Sequence, residues 1–178
     1  LCCDDPAPTA TYTLPHTPPV RSFNDPTGIA IAGNGLFVAD SRNGRIQVFD
    51  FEGGFKRQFG APGEGPGELG RPMNLRIAGG ELYVADYWND RIQVFGLDGT
   101  PRRSIGSTGS GLGQFNAPGG IAIAANGDLY VADFYNQRIQ QLQADGTFKI
   151  GRASCRESVE ISGVAVSLKK KNKTKTKT

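Results

Sequence analysis

Three stretches of the chain carry the same polar residues at the same spacing: "VADSRNGRIQVF" (38–49), "VADYWNDRIQVF" (84–95) and "VADFYNQRIQQL" (131–142). Each sets an Asp, an Asn three positions on and an Arg five positions on, followed by Ile-Gln. An Asp that ends one strand and an Arg that opens the next can meet across the hairpin as a charge-assisted hydrogen-bonded pair. That pattern has two chemical readings: charged groups ringed around a ligand, or a clamp on each hairpin with Asn43, Asn89 and Asn136 in a left-handed turn position. The clamp is preferred, because a ligand rarely needs identical groups in every unit whereas each hairpin needs its own fastening. Asp40, Asn43, Arg45, Asp86, Asn89, Arg91, Asp133, Asn136 and Arg138 are therefore read as a structural network, with no catalytic residue among them.

The positions that change inside the same loops say more about recognition. They are Ser41, Arg42 and Gly44 in the first copy, Tyr87, Trp88 and Asp90 in the second, and Phe134, Tyr135 and Gln137 in the third. Aromatic and Arg side chains are favoured anchors at binding surfaces, and loops carry recognition while a scaffold holds them. Arg42, Tyr87, Trp88, Asp90, Phe134, Tyr135 and Gln137 are the candidate partner contacts. The competing role for the aromatics is packing over a neighbouring unit.

Other chemistry finds little support. A zinc or copper site wants several His, and His16 is the only one. A Ser/His/Asp set drawn from the repeats fails for the same reason. Cys2 and Cys3 are adjacent, without the spacing of a metal knuckle. The connectors "GAPGEGPGELG" (60–70) and "GSTGSGLGQF" (106–115) do not continue into Gly-Lys-Ser/Thr, so they are read as flexible crossings rather than a phosphate cradle. No cofactor or resident metal is expected. A calcium site made of Asn and Asp oxygens stays open if further chain supplies ligands. The formal charge of +3 is uneven: residues 151–178 hold eight basic and two acidic residues, which leaves 12 basic and 15 acidic in the rest, a net of −3. The repeats are not a basic domain, which argues against nucleic acid as a partner. No apolar run reaches the ~20 residues of a transmembrane helix.

The elements that position these loops follow from the period. Pro26, Pro72 and Pro118 are 46 apart, and Asp40, Asp86 and Asp133 are 46 and 47 apart. Within the first unit four short strands are expected, "GIAIA" (28–32), "LFVAD" (36–40), "RIQVFD" (45–50) and "FKRQFG" (55–60). Gly33-Asn34-Gly35, Asn43-Gly44 and Gly53-Gly54 supply the tight turns between them. Along "LYVAD" (82–86) neither face is polar, so both must be covered. Blades of four antiparallel strands stacked around an axis do that, and a repeat of this length is the β-propeller signature. A two-sheet sandwich competes, but it does not call for near-identical units. The fold class is all-β, a propeller with three blades present out of an expected six.

The units resemble those of the NHL-repeat β-propellers: a Pro-x-Gly-Ile-Ala opening, a Tyr-Val-Ala-Asp strand, and Asn-x-Arg-Ile-Gln. The likeness runs from Phe23 to about Lys149, with Arg76 and "MNLRI" as departures in the second unit. The resemblance implies that the loops between second and third strands share one rim with the inter-blade connectors. It also implies a non-catalytic module binding a protein, peptide or glycan. Two alternatives come with it: a fragment of a metal-dependent lyase or lactonase whose catalytic blades are absent, and an RNA-binding domain as in tripartite-motif ubiquitin ligases. No RING or B-box cysteine pattern accompanies the repeats.

Expected domains are a Pro/Thr-rich tether (1–22), blades at 23–70, 71–115 and 116–149, and a non-native tail (150–178). Residues 150–171 resemble the translation of a sequencing-library adapter run into poly-A, with departures at Ser158, Glu160 and Gly163. The competing reading takes "SGVAVS" (162–167) as the start of a fourth repeat, though the preceding Pro is missing. On the adapter reading the chain is truncated at its C-terminal end. A cysteine before a Pro/Thr tether is similar to a bacterial lipoprotein anchor. A lipid at Cys2 or Cys3, and an extracytoplasmic address, are the corresponding expectations.

Overall fold

A computed structural model of the chain describes residues 22–143 and 145–151. The expectations for the tether through residue 21, with Cys2, Cys3 and His16, and for the tail from residue 152 lie outside them. Among the described residues, twelve of the fourteen strands form three four-stranded antiparallel sheets. Blade one is β1 (Pro26–Ala32), β2 (Gly35–Asp40), β3 (Arg45–Phe49) and β4 (Phe55–Phe59). Blade two is β5 (Pro72–Ala78), β6 (Glu81–Asp86), β7 (Arg91–Gly96) and β8 (Pro101–Ile105). Blade three is β11 (Pro118–Ile123), β12 (Leu129–Asp133), β13 (Arg138–Leu142) and β14 (Phe148–Gly151). Spatial order equals chain order in each sheet, so every blade is a simple meander. The all-β propeller expectation is met.

Side chains alternate across a strand, and here both alternate sets are apolar. Leu82 and Val84 of β6 pack with Phe37, Ala39, Ile46 and Val48 of blade one. Tyr83 and Ala85, one residue out of phase, pack with Ile121, Leu129 and Val131 of blade three. The core therefore lies between blades, and each large aliphatic side chain buried there stabilises by about 1.5–3 kcal/mol.

The Gly-rich connectors depart from the flexible crossings expected. Each plants one apolar residue in the seam it crosses: Leu69 and Phe115 are fully buried. Leu69 N donates to Ala61 O at 2.7 Å and Gly109 N to Phe115 O at 2.9 Å. The second connector also holds β9 (Ser107–Thr108) and β10 (Gln114–Phe115), a short parallel pair absent from the sequence reading. An isolated Leu or Phe among glycines carries no periodicity, yet its burial fixes the loop.

Candidate functional site

The recurrent residues meet at the end of each blade that carries the inter-blade connectors. Asp40 and Arg45 are paired across β2 and β3, and a three-residue 3-10 turn, Ser41–Asn43, joins the strands. Asp40 Oδ2 accepts hydrogen bonds from Arg45 Nε at 2.7 Å, Gln47 Nε2 at 2.9 Å and Asn43 Nδ2 at 2.9 Å. In blade two Asp86 Oδ2 accepts from Asn89 Nδ2 at 2.8 Å, Arg91 Nε at 3.1 Å and Gln93 Nε2 at 3.4 Å. In blade three Asp133 Oδ2 accepts from Asn136 Nδ2 at 2.9 Å, Arg138 Nε at 2.7 Å and Gln140 Nε2 at 3.1 Å. All three carboxylates are buried.

The clamp reaches beyond the hairpin. The other Asp oxygen takes backbone N–H groups from the segment leading into the same blade: Asn24 at 2.7 Å, Gly70 at 2.8 Å and Arg71 at 3.2 Å, and Asn116 at 2.7 Å. The Arg guanidinium donates to carbonyls of that segment, as in Arg91 Nη2 to Gly65 O and Glu68 O at 3.1 and 3.0 Å. Each Asp–Arg pair thus fastens the incoming connector to its blade. Burial pushes the Asp40 carboxyl up, but the N–H of Asn24 and the side chains of Asn43, Arg45 and Gln47 outweigh it and hold it below its ordinary value.

Two details differ from the sequence expectation. The left-handed backbone position is not the Asn but the residue after it: Gly44, Asp90 and Gln137 have φ of 58°, 52° and 52°. The Asn instead stays in the turn, where its amide reaches both the Asp carboxylate and a connector carbonyl, Gly63 O for Asn89 and Gly109 O for Asn136, each at 2.8 Å. Gln47, Gln93 and Gln140 belong to the network and were missed, although a Gln stands seven residues after the Asp in every copy.

Only Gly fits the left-handed position of blade one, since a Cβ on Gly44 would sit 2.6 Å from Leu69 O. Gln137, by contrast, is exposed. Gln137→Gly relieves the strain of a side chain at positive φ and raises stability by about 0.5–1 kcal/mol. Urea denaturation checks this; an unchanged or lower midpoint contradicts it.

The variable residues lie on the same rim. Tyr87 rests against both Phe134 and Tyr135 of the next blade, with ring centroids 6.3 Å apart in each case, and Phe134 and Tyr135 meet edge-to-face at 5.0 Å. A hydrogen bond with the Tyr135 hydroxyl raises the Tyr87 phenol above its ordinary value. Trp88 faces outward under the guanidinium of Arg71, 5.5 Å from the ring centre. Arg71 in turn pairs with Asp25 at 2.7 Å, which also faces Arg42 at 3.7 Å. Arg42, Trp88 and the Tyr87–Phe134–Tyr135 group therefore share one surface. Asp90 is placed differently: its Oδ1 accepts the N–H of Ala117 at 2.7 Å and ties two blades together. Arg71 and Asp25 were missed. Their position, just before the opening Pro of the blade, reads Asp25, Arg71 and Ala117 in the three copies, the same variability that marks the loop residues. Among the described residues no cluster of His, Cys, Asp and Glu is arranged to hold a metal ion.

The NHL repeat family matches residues 23–49 and 115–142. "Protein brain tumor" of Drosophila melanogaster is 50% identical over 48 residues, 26% of this chain and 5% of that protein. "B-box type zinc finger protein ncl-1" of Caenorhabditis elegans is 57% identical over 37 residues, 20% of this chain and 4% of that protein. The chain thus spans a small part of these relatives. Among solved structures, a catalytically inactive virginiamycin B lyase from Staphylococcus aureus superposes with a TM-score of 0.54 at 20% identity, covering 70% of this chain and 40% of the lyase. A putative exported protein from Bacteroides fragilis gives 0.59 at 17% identity, covering 77% and 40%. Likeness at that identity speaks for the fold. The chain thus carries NHL repeats, matched in sequence at the first and third units, and its sheets are built as the blades of a β-propeller.

Proposed function

We propose that the three blades belong to a six-bladed ring that acts as a non-catalytic binding module. It receives a protein, peptide or glycan on the rim formed by the loops between second and third strands. One observation carries the reading: Trp88, Phe134 and Tyr135, in equivalent loops of neighbouring blades, expose 63%, 62% and 61% of their surface. Their contacts with Tyr87, with each other and with Arg71 leave most of each ring in water, and aromatic side chains with a neighbouring Arg are what binding hot spots are made of. Their foundations are the clamps, which hold each loop through a buried carboxylate. The lyase alternative is supported by fold likeness alone, at 20% identity. The extracytoplasmic address remains part of the proposal, on the strength of Cys2, Cys3 and the Pro/Thr tether.

The test is to pan a displayed peptide library and a glycan array against the full chain, then titrate the selected ligand by calorimetry. Trp88→Ala and Tyr135→Ala are each expected to weaken it by about 10- to 30-fold with unchanged melting. Ligands indifferent to both substitutions would remove the rim from consideration.

A further inference from the structure

The three clamps are alike except at one nitrogen. In blade one, Arg45 Nη1 donates to Gln58 Oε1 of the outer strand at 3.2 Å. In blade three, Arg138 Nη1 donates to Ser110 O of the connector at 2.7 Å. Arg91 Nη2 bonds the carbonyls of Gly65 and Glu68 just as Arg138 Nη2 bonds those of Gly111 and Gln114, yet Arg91 Nη1 has no hydrogen-bond partner among the described residues. The outer strand accounts for part of the difference. Gln47 stands opposite Gln58 and Gln93 opposite Ser104, so blade two has a short Ser where blade one has Gln. Between the connector and β8 lies a cavity of about 220 Å³, lined by Pro66, Arg91, Gln93 and residues 101–104, with no carboxylate on its walls. Asp86 matches Arg91 and Glu81 matches Arg103, but Arg102 forms no ion pair among the described residues. Asp98, in the turn before it, is engaged by the N–H and hydroxyl of Thr100 at 3.1 and 2.7 Å. The counterparts of Arg102 are both held: Lys56 by Asn34 at 2.9 Å and Lys149 by Asp128 at 3.0 Å.

We propose that this cavity binds a phosphoryl group, free or carried on a serine of a partner peptide. Three donor groups from two strands line one space: Arg91 Nη1, the Arg102 guanidinium and the Ser104 hydroxyl. A phosphoryl group offers three strong acceptor oxygens to match them, whereas a carboxylate offers two. The unmatched charge of Arg102 selects an anion over a cation or a neutral sugar. Arg91 is already fixed by Asp86 and the connector carbonyls, so ordering it costs little on binding. None of the aromatic rim residues lines the cavity, and the site is independent of the rim reading.

The test is to titrate inorganic phosphate into the full chain at constant ionic strength and follow the Nε–H resonances of Arg42, Arg91 and Arg102 by NMR. Saturable shifts are expected at Arg91 and Arg102 with a Kd of about 1–10 mM, and none at Arg42, an exposed Arg of the rim. Acetate should bind about tenfold more weakly, and Arg102→Gln should weaken phosphate by about the same factor. Ser104→Gln rebuilds the blade-one contact on Arg91 Nη1, so it should abolish binding while keeping the wild-type urea midpoint. A phosphoserine peptide run in parallel separates the sources: affinity at or above that of phosphate assigns a modified partner, and lost affinity assigns the free ion. Arg42 and Arg102 titrating together, acetate binding as tightly as phosphate, or Ser104→Gln binding like the wild type would each overturn the site.

Discussion

Asp86→Ala is expected to lower the unfolding free energy by about 3–5 kcal/mol, the cost of leaving a buried charge partner uncompensated. The carboxylate is fully buried and its two oxygens take five donors, from Gly70, Arg71, Asn89, Arg91 and Gln93. Truncation leaves Arg91 Nε and two backbone N–H groups without their acceptor, while Arg91 Nη2 keeps the carbonyls of Gly65 and Glu68. Asp86→Asn keeps the shape and one acceptor oxygen, so it should fall between the two. Urea denaturation followed by circular dichroism measures the series. A loss under 1 kcal/mol in Asp86→Ala would show that water replaces the carboxylate and that the clamp is dispensable. The Trp88 rim should become more mobile in the same variant, because Arg71, which covers Trp88, is held through its backbone by Asp86.

Phe95→Ala should cost about 3–5 kcal/mol, as large aromatic truncations in closed cores do, and lower the melting midpoint by about 10 °C or more. Phe95 lies on β7 with no exposed surface and packs against Phe59 of the preceding blade at 5.3 Å between ring centres. The cavity opens in the seam, so the loss falls on the association of blades rather than on one sheet. Loss of a single cooperative transition, with blade one melting separately, would be the extreme form. Phe95→Leu should be tolerated at about 1 kcal/mol, since Leu142 fills the equivalent place in blade three, fully buried in the next seam. Equal losses for Leu and Ala would contradict the packing account.

Much of the scaffold was readable because repetition removes ambiguity. A single "LYVAD" could be a strand of almost any sheet, but three copies at a fixed period, each with apolar residues on both faces, restrict the fold to stacked blades. The turns were readable from Gly33, Gly44 and Gly53, whose φ values of 55°, 58° and 82° other residues rarely adopt. The connectors were not, since Leu69 and Phe115 stand alone among glycines and nothing local tells that they are buried. In the clamp, Asp, Asn and Arg were recognised by recurrence, whereas the left-handed position was given to Asn43, Asn89 and Asn136 on propensity. The need of their amides for the Asp carboxylate and a connector carbonyl overrode it. Asp90 was read as a recognition residue beside Trp88, and the fold gives its carboxylate to Ala117 of the next blade.

From the sequence alone come the four-stranded unit, its period, the residues that fasten each hairpin and the loop positions free to vary. These are local or repeated properties: alternation along a strand, turn chemistry, and pairs a few residues apart. Only the tertiary structure joins Tyr87 of blade two to Phe134 and Tyr135 of blade three, sets Arg71 over Trp88, and pairs the clamps with their connectors. Those partners are 15 to 48 residues apart in the chain, and stacking of the blades, driven by burial of both sheet faces, is what brings them within contact distance.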